Sequence, residues 1–333
     1  MVQTGVKSKV DTDMKFKMMY SFLNSDIDIV EKALEEAVYA DSALLREASL
    51  HLLQAGGKRI RPLFVLLSAK FGDYNIHKIK KVAVSLELIH AASLIHDDVI
   101  DDAAIRRGKP TVKAKWDNRI ATYTGDYIFA RALELMAEID HPKAHKILSN
   151  AMVELVIGEL EQMKDKYRFN QNLRDYLRRI KRKTALLIES SCELGAIAAG
   201  VEDKVAWQLA KYGYYVGMSY QIIDDVLDFI GTEKELGKPS GGDLLQGNIT
   251  LPVLFAMKDK TIAQEIYKVH ENMSKKEMDS LIELIVRSDG IEQARNISNR
   301  YLDKALAIVE QLPNDQSKTA LRNIAKYIGK RKF

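Results

Sequence analysis

Two stretches of the chain carry aspartates at a spacing that a purely structural helix has no use for. The first is His96-Asp97-Asp98-Val99-Ile100-Asp101-Asp102, and the second is Tyr220-Gln221-Ile222-Ile223-Asp224-Asp225-Val226-Leu227-Asp228. On a helix Asp97 and Asp101 share a face, as do Asp98 and Asp102; Asp224 and Asp228 repeat the device, with Gln221 one turn earlier. Like charges at this spacing cost roughly a few tenths of a kcal/mol per pair. Aspartate is also a poor helix former, least at home near the negative C-terminal end of the helix dipole. A hard divalent cation reverses the sign of that cost, because magnesium takes carboxylate oxygens, keeps several waters and bridges to phosphates. One such cluster reads more readily as a solvated face. Two, far apart in the chain and each approached by an apolar run (84–95 and 212–218), do not.

Fixed positive charges accompany the acids. Arg106-Arg107-Gly108-Lys109-Pro110 follows the first cluster directly, and Gly56-Gly57-Lys58-Arg59-Ile60-Arg61-Pro62 sets glycines and cations at a helix–helix junction. Lys183-Thr184 opens an apolar helical run, and Gly237-Lys238-Pro239 lies in a glycine-rich loop after the second cluster. The guanidinium fork matches phosphate oxygens, and glycine lets a backbone approach closely. Each group alone also reads as a capped turn or a surface charge. Taken together they sort into two halves. Asp97, Asp101 and Asp224 with bridging metal, plus Arg106, Lys183, Gln221 and Lys238, suit a diphosphate that leaves. Lys58, Arg61, His90 and Arg107 suit a diphosphate that stays. His90 lies two turns before Asp97 on the same helix; the plainer alternative is a satisfied core histidine.

The elements that must position these groups are helices. Apolar residues recur three and four apart almost everywhere, as in Ile29, Val30, Ala33, Leu34 and Val38, and two-residue alternation is hard to find. Long helices are expected over 76–102, 173–199 and 203–229, with breaks at Gly56-Gly57, Gly72-Asp73, Gly108 to Pro110, Gly200 and 231–247. The class is all-α. Among 333 residues, 47% hydrophobic with 6 prolines, charge is spread evenly, which fits one helical domain over 14–333 behind a polar, disordered extension over 1–13. Met14 could then be an original start. A net charge of +4 speaks against nucleic-acid binding. The single cysteine, Cys192, excludes an internal disulfide framework and fits a reducing cytosol. No apolar run reaches the ~20 residues of a membrane span and the start lacks a secretory signal, so a soluble cytoplasmic protein is expected.

GGKRIRP, LIHDDVIDDAAIRRGKPT, GDYIFARA, KTALLIES, YQIIDDVLDF and GTEKELGKPSGGDLLQGNITLP, in this order, closely resemble the motifs of trans-isoprenyl diphosphate synthases over essentially the whole chain after residue 14. Within that family the resemblance is greatest to the larger, catalytic component of bacterial two-component heptaprenyl or hexaprenyl diphosphate synthases. The resemblance implies a helical bundle around a deep central cavity, with the two aspartate-rich motifs facing each other at its mouth. Asp97, Asp98, Asp101, Asp224, Asp225 and Asp228 then match metal ligands for magnesium, three ions per active site. Lys58, Arg61, His90 and Arg107 match ligands of isopentenyl diphosphate; Arg106, Lys183, Thr184, Gln221 and Lys238 match ligands of the allylic diphosphate. Many short-chain relatives carry a further lysine where this chain has Gln246-Gly247-Asn248, which leaves one allylic-phosphate contact open. The implied partners are the two substrates and a smaller regulatory subunit, in a heterodimer, a homodimer or both. No nucleic acid or membrane span is implied; peripheral membrane contact would serve product release.

The implied reaction condenses isopentenyl diphosphate successively onto an allylic diphosphate such as farnesyl diphosphate. The allylic C–O bond breaks, the double bond of isopentenyl diphosphate attacks the cation, and a proton is lost, which the released diphosphate could take. Residues four and five before Asp97 lie just over one helical turn beneath the metal site. They are Ser93 and Ala92, both small, so nothing plugs the path near its mouth and a product beyond C20 is expected; the resemblance implies C30 or C35, for the side chain of a quinone such as menaquinone. The floor would lie deeper, among Leu86, Ile89 and 127–136; close helix packing is the alternative reason for small residues there. Three other readings remain. His96-Asp97 mimics ligands of metal-dependent phosphohydrolases, a terpene cyclase would share the fold without needing the second basic half, and a non-catalytic subunit would not keep both acidic clusters.

Overall fold

The computed structural model describes residues 14–231 and 240–331; the expected extension over 1–13, and Lys238, lie outside the described residues. The helices, in chain order, are α1 (Asn24–Ala37), α2 (Ala43–Leu53), α3 (Ile60–Ala69), α4 (Ile76–Ile100), α5 (Val112–Lys115), α6 (Asn118–Ala137), α7 (Pro142–Asp165) and α8 (Leu173–Ile180). A π turn over Lys181–Ala185 leads into α9 (Leu186–Ala198) and α10 (Asp203–Ile230). They are followed by α11 (Gly242–Leu245), α12 (Leu251–Ala256), α13 (Lys260–Ile266), α14 (Lys275–Arg287), α15 (Gly290–Gln311) and α16 (Gln316–Lys330). The all-α expectation holds. Among the described residues no helix is long and apolar enough to cross a membrane.

The helix starts follow capping chemistry. Ser42, Asn75, Thr111, Asp117, Asp259 and Asp315 each accept a hydrogen bond from a first-turn backbone N–H, while Asn172 with Asp175 and Ser274 with Glu277 form reciprocal capping boxes. The expected helix over 76–102 stops at Ile100, and that over 203–229 extends to Ile230.

The expected single helix over 173–199 is interrupted. Its π turn inserts at Lys181–Ala185, where one extra residue per turn leaves the apolar pattern nearly intact and so leaves no periodic signal. A hairpin of two residues per strand, β1 (Ile105–Arg106) and β2 (Lys109–Pro110), pairs antiparallel. Strands that short cannot show alternation. Its two-residue loop has positive φ at both Arg107 (53°) and Gly108 (77°), the combination a twisted hairpin turn needs.

The chain divides into two compact units. The first comprises Tyr20–Met152 and Ser190–Ala210. Its centre is α4, which is apolar around its circumference because it is buried around its circumference, from Ile79 and Val82 through Leu86, Leu88 and Ile89 to Ala92 and Ile95. It packs chiefly on α6 and α3. Close approach depends on glycines: a Cβ on Gly125 of α6 would lie 2.4 Å from His96 Nε2, and one on Gly195 of α9 would lie 2.3 Å from the Val65 carbonyl oxygen of α3.

The second unit comprises Met1–Met19, Val153–Glu189 and Lys211–Phe333. One apolar cluster joins Tyr176, Ile180 and Ala185 to Met218, Ile222 and Val226 of α10 and Leu251 of α12. Another gathers Phe229, Leu244, Ile249, Val253, Leu281 and Ile285.

Backbone cannot yield as a side chain can, so Gly195→Ala should cost about 1–3 kcal/mol of stability through overpacking between α9 and α3. Denaturant unfolding checks this; an unchanged midpoint would show that the two helices are free to part.

Candidate active site

In the first unit the C-terminal end of α4 delivers the first acidic motif, and its aspartates separate into two kinds. Asp98 is 2% exposed. Its Oδ1 accepts from Arg106 Nε at 2.8 Å and from Arg106 Nη2 at 2.7 Å. Burial pushes the Asp98 carboxyl above its ordinary range, and Arg106 opposes that shift. Asp97 and Asp101 are each partly accessible. Asp102, at φ 51°, leaves the helix and pairs with Lys113. Asp98 therefore ties the hairpin to the helix end, while Asp97 and Asp101 keep accessible surface.

The hairpin is stitched to the C-terminal end of α2 as well. His51 Nε2 lies 2.7 Å from the Pro110 carbonyl oxygen, and Lys109 Nζ donates to the Gln54 carbonyl at 3.0 Å. At the tip, the Arg107 guanidinium packs so close to Gly57 that a Cβ there would lie 2.8 Å from Nη1. Glycine at 57 makes that contact possible. His90 is the focus of the cations: its pKa is held well below the ordinary value first by burial and then by Arg61, Arg107, Arg106 and Arg59. The structure thus brings together His90, Arg61, Arg106 and Arg107, with Lys58 partly buried on the loop just before the helix of Arg61. The neutral imidazole is what such a surrounding requires.

Of the two small residues beneath Asp97, Ala92 is fully packed, whereas Ser93 retains accessible surface and turns its hydroxyl back to the His90 carbonyl at 2.9 Å. Leu86 and Ile89 on α4 and Ile128, Ala132 and Met136 on α6 are buried. His96, half of the hydrolase-like pair, has its Nε2 3.2 Å from Asp126 Oδ1, and its ring lies 5.6 Å from that of Phe129.

In the second unit α10 delivers the second motif with the same division. Asp225 is 4% exposed and both of its oxygens are engaged, Oδ2 by the Tyr176 hydroxyl at 2.6 Å and Oδ1 by Gln221 Nε2 at 2.8 Å. Burial, reinforced by Asp243, pushes its carboxyl up to about 7 against those two hydrogen bonds. Gln221 in turn accepts from Thr184 Oγ1 at 2.6 Å, so the π turn is keyed to α10 through a chain of polar contacts. Gly217 permits it, since a Cβ there would sit 2.7 Å from the Ala185 Cα. The neighbouring Lys183 reaches Gln162 Oε1 at 3.0 Å and Glu159 Oε2 at 3.3 Å on α7.

Asp224 pairs with Arg331, whose guanidinium centre lies 5.0 Å from the Tyr220 ring centroid. Asp228 is 2% exposed and its Oδ2 accepts from the Asp243 N–H at 3.2 Å. Among the described residues no three acidic, histidine or cysteine side chains gather tightly enough to hold a metal ion by themselves. Tyr176, Arg331 and Arg59 were not marked by the sequence reading. Their partners are distant in the chain or hidden among equivalent cations.

Residues 42–285 match the family model for polyprenyl synthetase. The chain belongs to the polyprenyl synthetase family, and it is a prenyltransferase. It is 62% identical to heptaprenyl diphosphate synthase component 2 of Bacillus subtilis (strain 168), over 96% of this chain and 92% of that protein. It is 58% identical to heptaprenyl diphosphate synthase component 2 of Geobacillus stearothermophilus, over 96% of this chain and 100% of that protein. The fold matches the crystal structure of heptaprenyl diphosphate synthase from Staphylococcus aureus with a TM-score of 0.90 at 44% identity, covering 93% of this chain and 99% of that one. A polyprenyl synthase from Caulobacter crescentus CB15, complexed with calcium and isoprenyl diphosphate, superposes with a TM-score of 0.91 at 32% identity, covering 96% and 98%.

A histidine kept neutral in the folded state contributes stability that is present above its unfolded pKa, near 6.5, and is lost as the pH falls below it. Asp225, with its pKa raised, works in the opposite direction and loses its contribution as the pH rises toward 7. The difference between the wild type and His90→Gln isolates the histidine. Chemical denaturation between pH 7 and 5 should show the wild type losing stability relative to the variant as the medium becomes more acidic; parallel curves would contradict the assignment.

Proposed function

We propose that the chain is the catalytic component of a two-component trans-polyprenyl diphosphate synthase, elongating an allylic diphosphate such as farnesyl diphosphate with isopentenyl units to C35 or C30 for a quinone side chain such as that of menaquinone. The observation that carries this reading is the gathering of Arg61, Arg106 and Arg107 around a neutral His90, about 10 Å along α4 from Asp97. That is a site for a diphosphate held without metal, placed beside a motif for one held with metal. A hydrolase has no use for the first, and a terpene cyclase has no second diphosphate to bind.

The residues at both motifs fit magnesium. Their donors are hard carboxylate oxygens, which suit an ion that keeps waters and takes substrate oxygens. The guanidinium on Asp224 marks a place where a cation is favoured. Asp97, Asp101 and Asp224 would hold the ions, with Asp98, Asp225 and Asp228 supporting them from buried positions, and three ions per site is the number we infer. When bound, magnesium would supply charge neutralisation for the departing diphosphate. The chain's own part is to bind and aim. Arg106, Lys183, Thr184, Gln221 and Lys238 receive the allylic diphosphate; Lys58, Arg61, His90 and Arg107 hold isopentenyl diphosphate so that its double bond meets the cation as it forms. Ser93 passes the growing chain, and the larger side chains below it on α4 and α6 limit its length.

A companion subunit is supported by the names of the two relatives at 62% and 58% identity, each component 2 of a heptaprenyl diphosphate synthase. On α7 the exposed side chains between Val153 and Met163 are Val153, Val156, Leu160 and Met163, an uncharged seam at alternating three- and four-residue spacing. Helices cover such seams with one another. We assign the companion to it, in a cytoplasmic enzyme that touches the membrane peripherally as product leaves.

Incubated with magnesium, farnesyl diphosphate, labelled isopentenyl diphosphate and the companion from the same cell, the chain should form labelled C30 or C35 product. Release of inorganic phosphate without elongation would instead reveal a hydrolase. Ser93→Phe should shorten the product by at least one isoprene unit in the same chromatogram; unchanged length would remove Ser93 from the path. Leu160→Asp should weaken assembly by about tenfold or more in sedimentation. A variant that still joins the companion but no longer pairs with itself would reassign the seam to a homodimer.

A further inference from the structure

Between Lys58, on the loop before α3, and Arg61, in the first turn of α3, stands a third cation, and the structure gives it a different task. Arg59 adopts φ 45°, a left-handed conformation that side-chain-bearing residues rarely take, directly before α3. A conformation of that kind persists only where its surroundings over-determine it. Here they do. Arg59 Nε donates to Glu31 Oε1 at 2.6 Å and Nη2 to Glu31 Oε2 at 3.0 Å, a two-point grip on α1. Nη2 also donates to the Leu53 carbonyl at 2.9 Å, at the end of α2, and Nη1 donates to Glu87 Oε1 at 3.1 Å on α4. One guanidinium therefore binds the loop to three helices.

Glu87 makes the arrangement more than surface pairing. It is 4% exposed, and its second oxygen, Oε2, has no hydrogen-bond partner among the described residues. A buried carboxylate kept in this way has Arg59 as its counter-charge. It stands one helical turn before His90 on α4. The loop is thus fastened to the very helix whose histidine lies among Arg61 and Arg107.

We propose that Arg59, anchored by Glu87 and Glu31, is a positioning residue: it turns inward so that its neighbours Lys58 and Arg61 are held toward His90 and the diphosphate that stays. The inference rests on the two-diphosphate reading above and adds a division of roles within GGKRIRP. Its consequence is selective. Loosening Arg59 disturbs the isopentenyl diphosphate half and spares the allylic half.

Arg59→Gln alone would leave Glu87 as an unpaired buried charge and could fail to fold, so the decisive variant is the double replacement of Arg59→Gln with Glu87→Gln, which removes both charges. With the companion and magnesium present, the double variant should raise KM for isopentenyl diphosphate by about tenfold or more while KM for the allylic substrate stays within about twofold, and Arg59→Lys should fall between it and the wild type. Calorimetric titration with inorganic pyrophosphate in the absence of magnesium should show a matching loss of affinity. A folded double variant with both constants unchanged, or with both damaged equally, would overturn the assignment. Were the wild type to form no prenyl chain at all, the proposed reaction would fall, and the pyrophosphate titration would still decide the role of Arg59.

Discussion

Carboxylates cannot be stacked and half-buried at a helix end unless something answers their charge. Both acidic motifs meet that constraint in the same way. In each, the second aspartate turns into the protein and is answered by the chain itself: Asp98 by the Arg106 fork, Asp225 by Tyr176 and Gln221. Those inward contacts do local work as well, since one fastens a hairpin and the other keys a π turn to α10. The first aspartates, Asp97 and Asp224, retain accessible surface. On Asp224 a cation already answers the charge, the guanidinium of Arg331.

The cationic half obeys the mirror image of this rule. Several guanidinium groups can share a small volume only if the groups among them carry no further positive charge, and burial with those same arginines keeps His90 neutral. Arg59 is answered by acids instead, the buried Glu87 and the partly exposed Glu31.

Much of this was legible in the sequence because it is local. Residues four apart on a helix must share a face, so the acidic motifs, their helices and the all-α class follow from spacing alone, and α4 and α10 end within two residues of expectation. The hairpin tip was legible in part, since Arg107-Gly108 is turn chemistry. What could not be read depends on partners distant in the chain: Tyr176 on Asp225, and Arg331 on Asp224 from the far end of the protein. The π turn was hidden because an inserted residue shifts the apolar period by less than the pattern resolves. Arg59 was hidden among chemically equivalent neighbours, and only its left-handed backbone and its two acidic partners, Glu31 and the buried Glu87, set it apart.

The proposed function has each of the two acidic motifs, remote in sequence, act on the allylic diphosphate. Calorimetric titration of an unreactive allylic diphosphate analogue in magnesium, into the wild type, Asp97→Asn and Asp224→Asn, addresses it most directly. Both single replacements should weaken binding by about tenfold or more, and combining them should cost less than the product of the two losses. If either variant binds the analogue as the wild type does, the motifs act on different groups and the account is wrong.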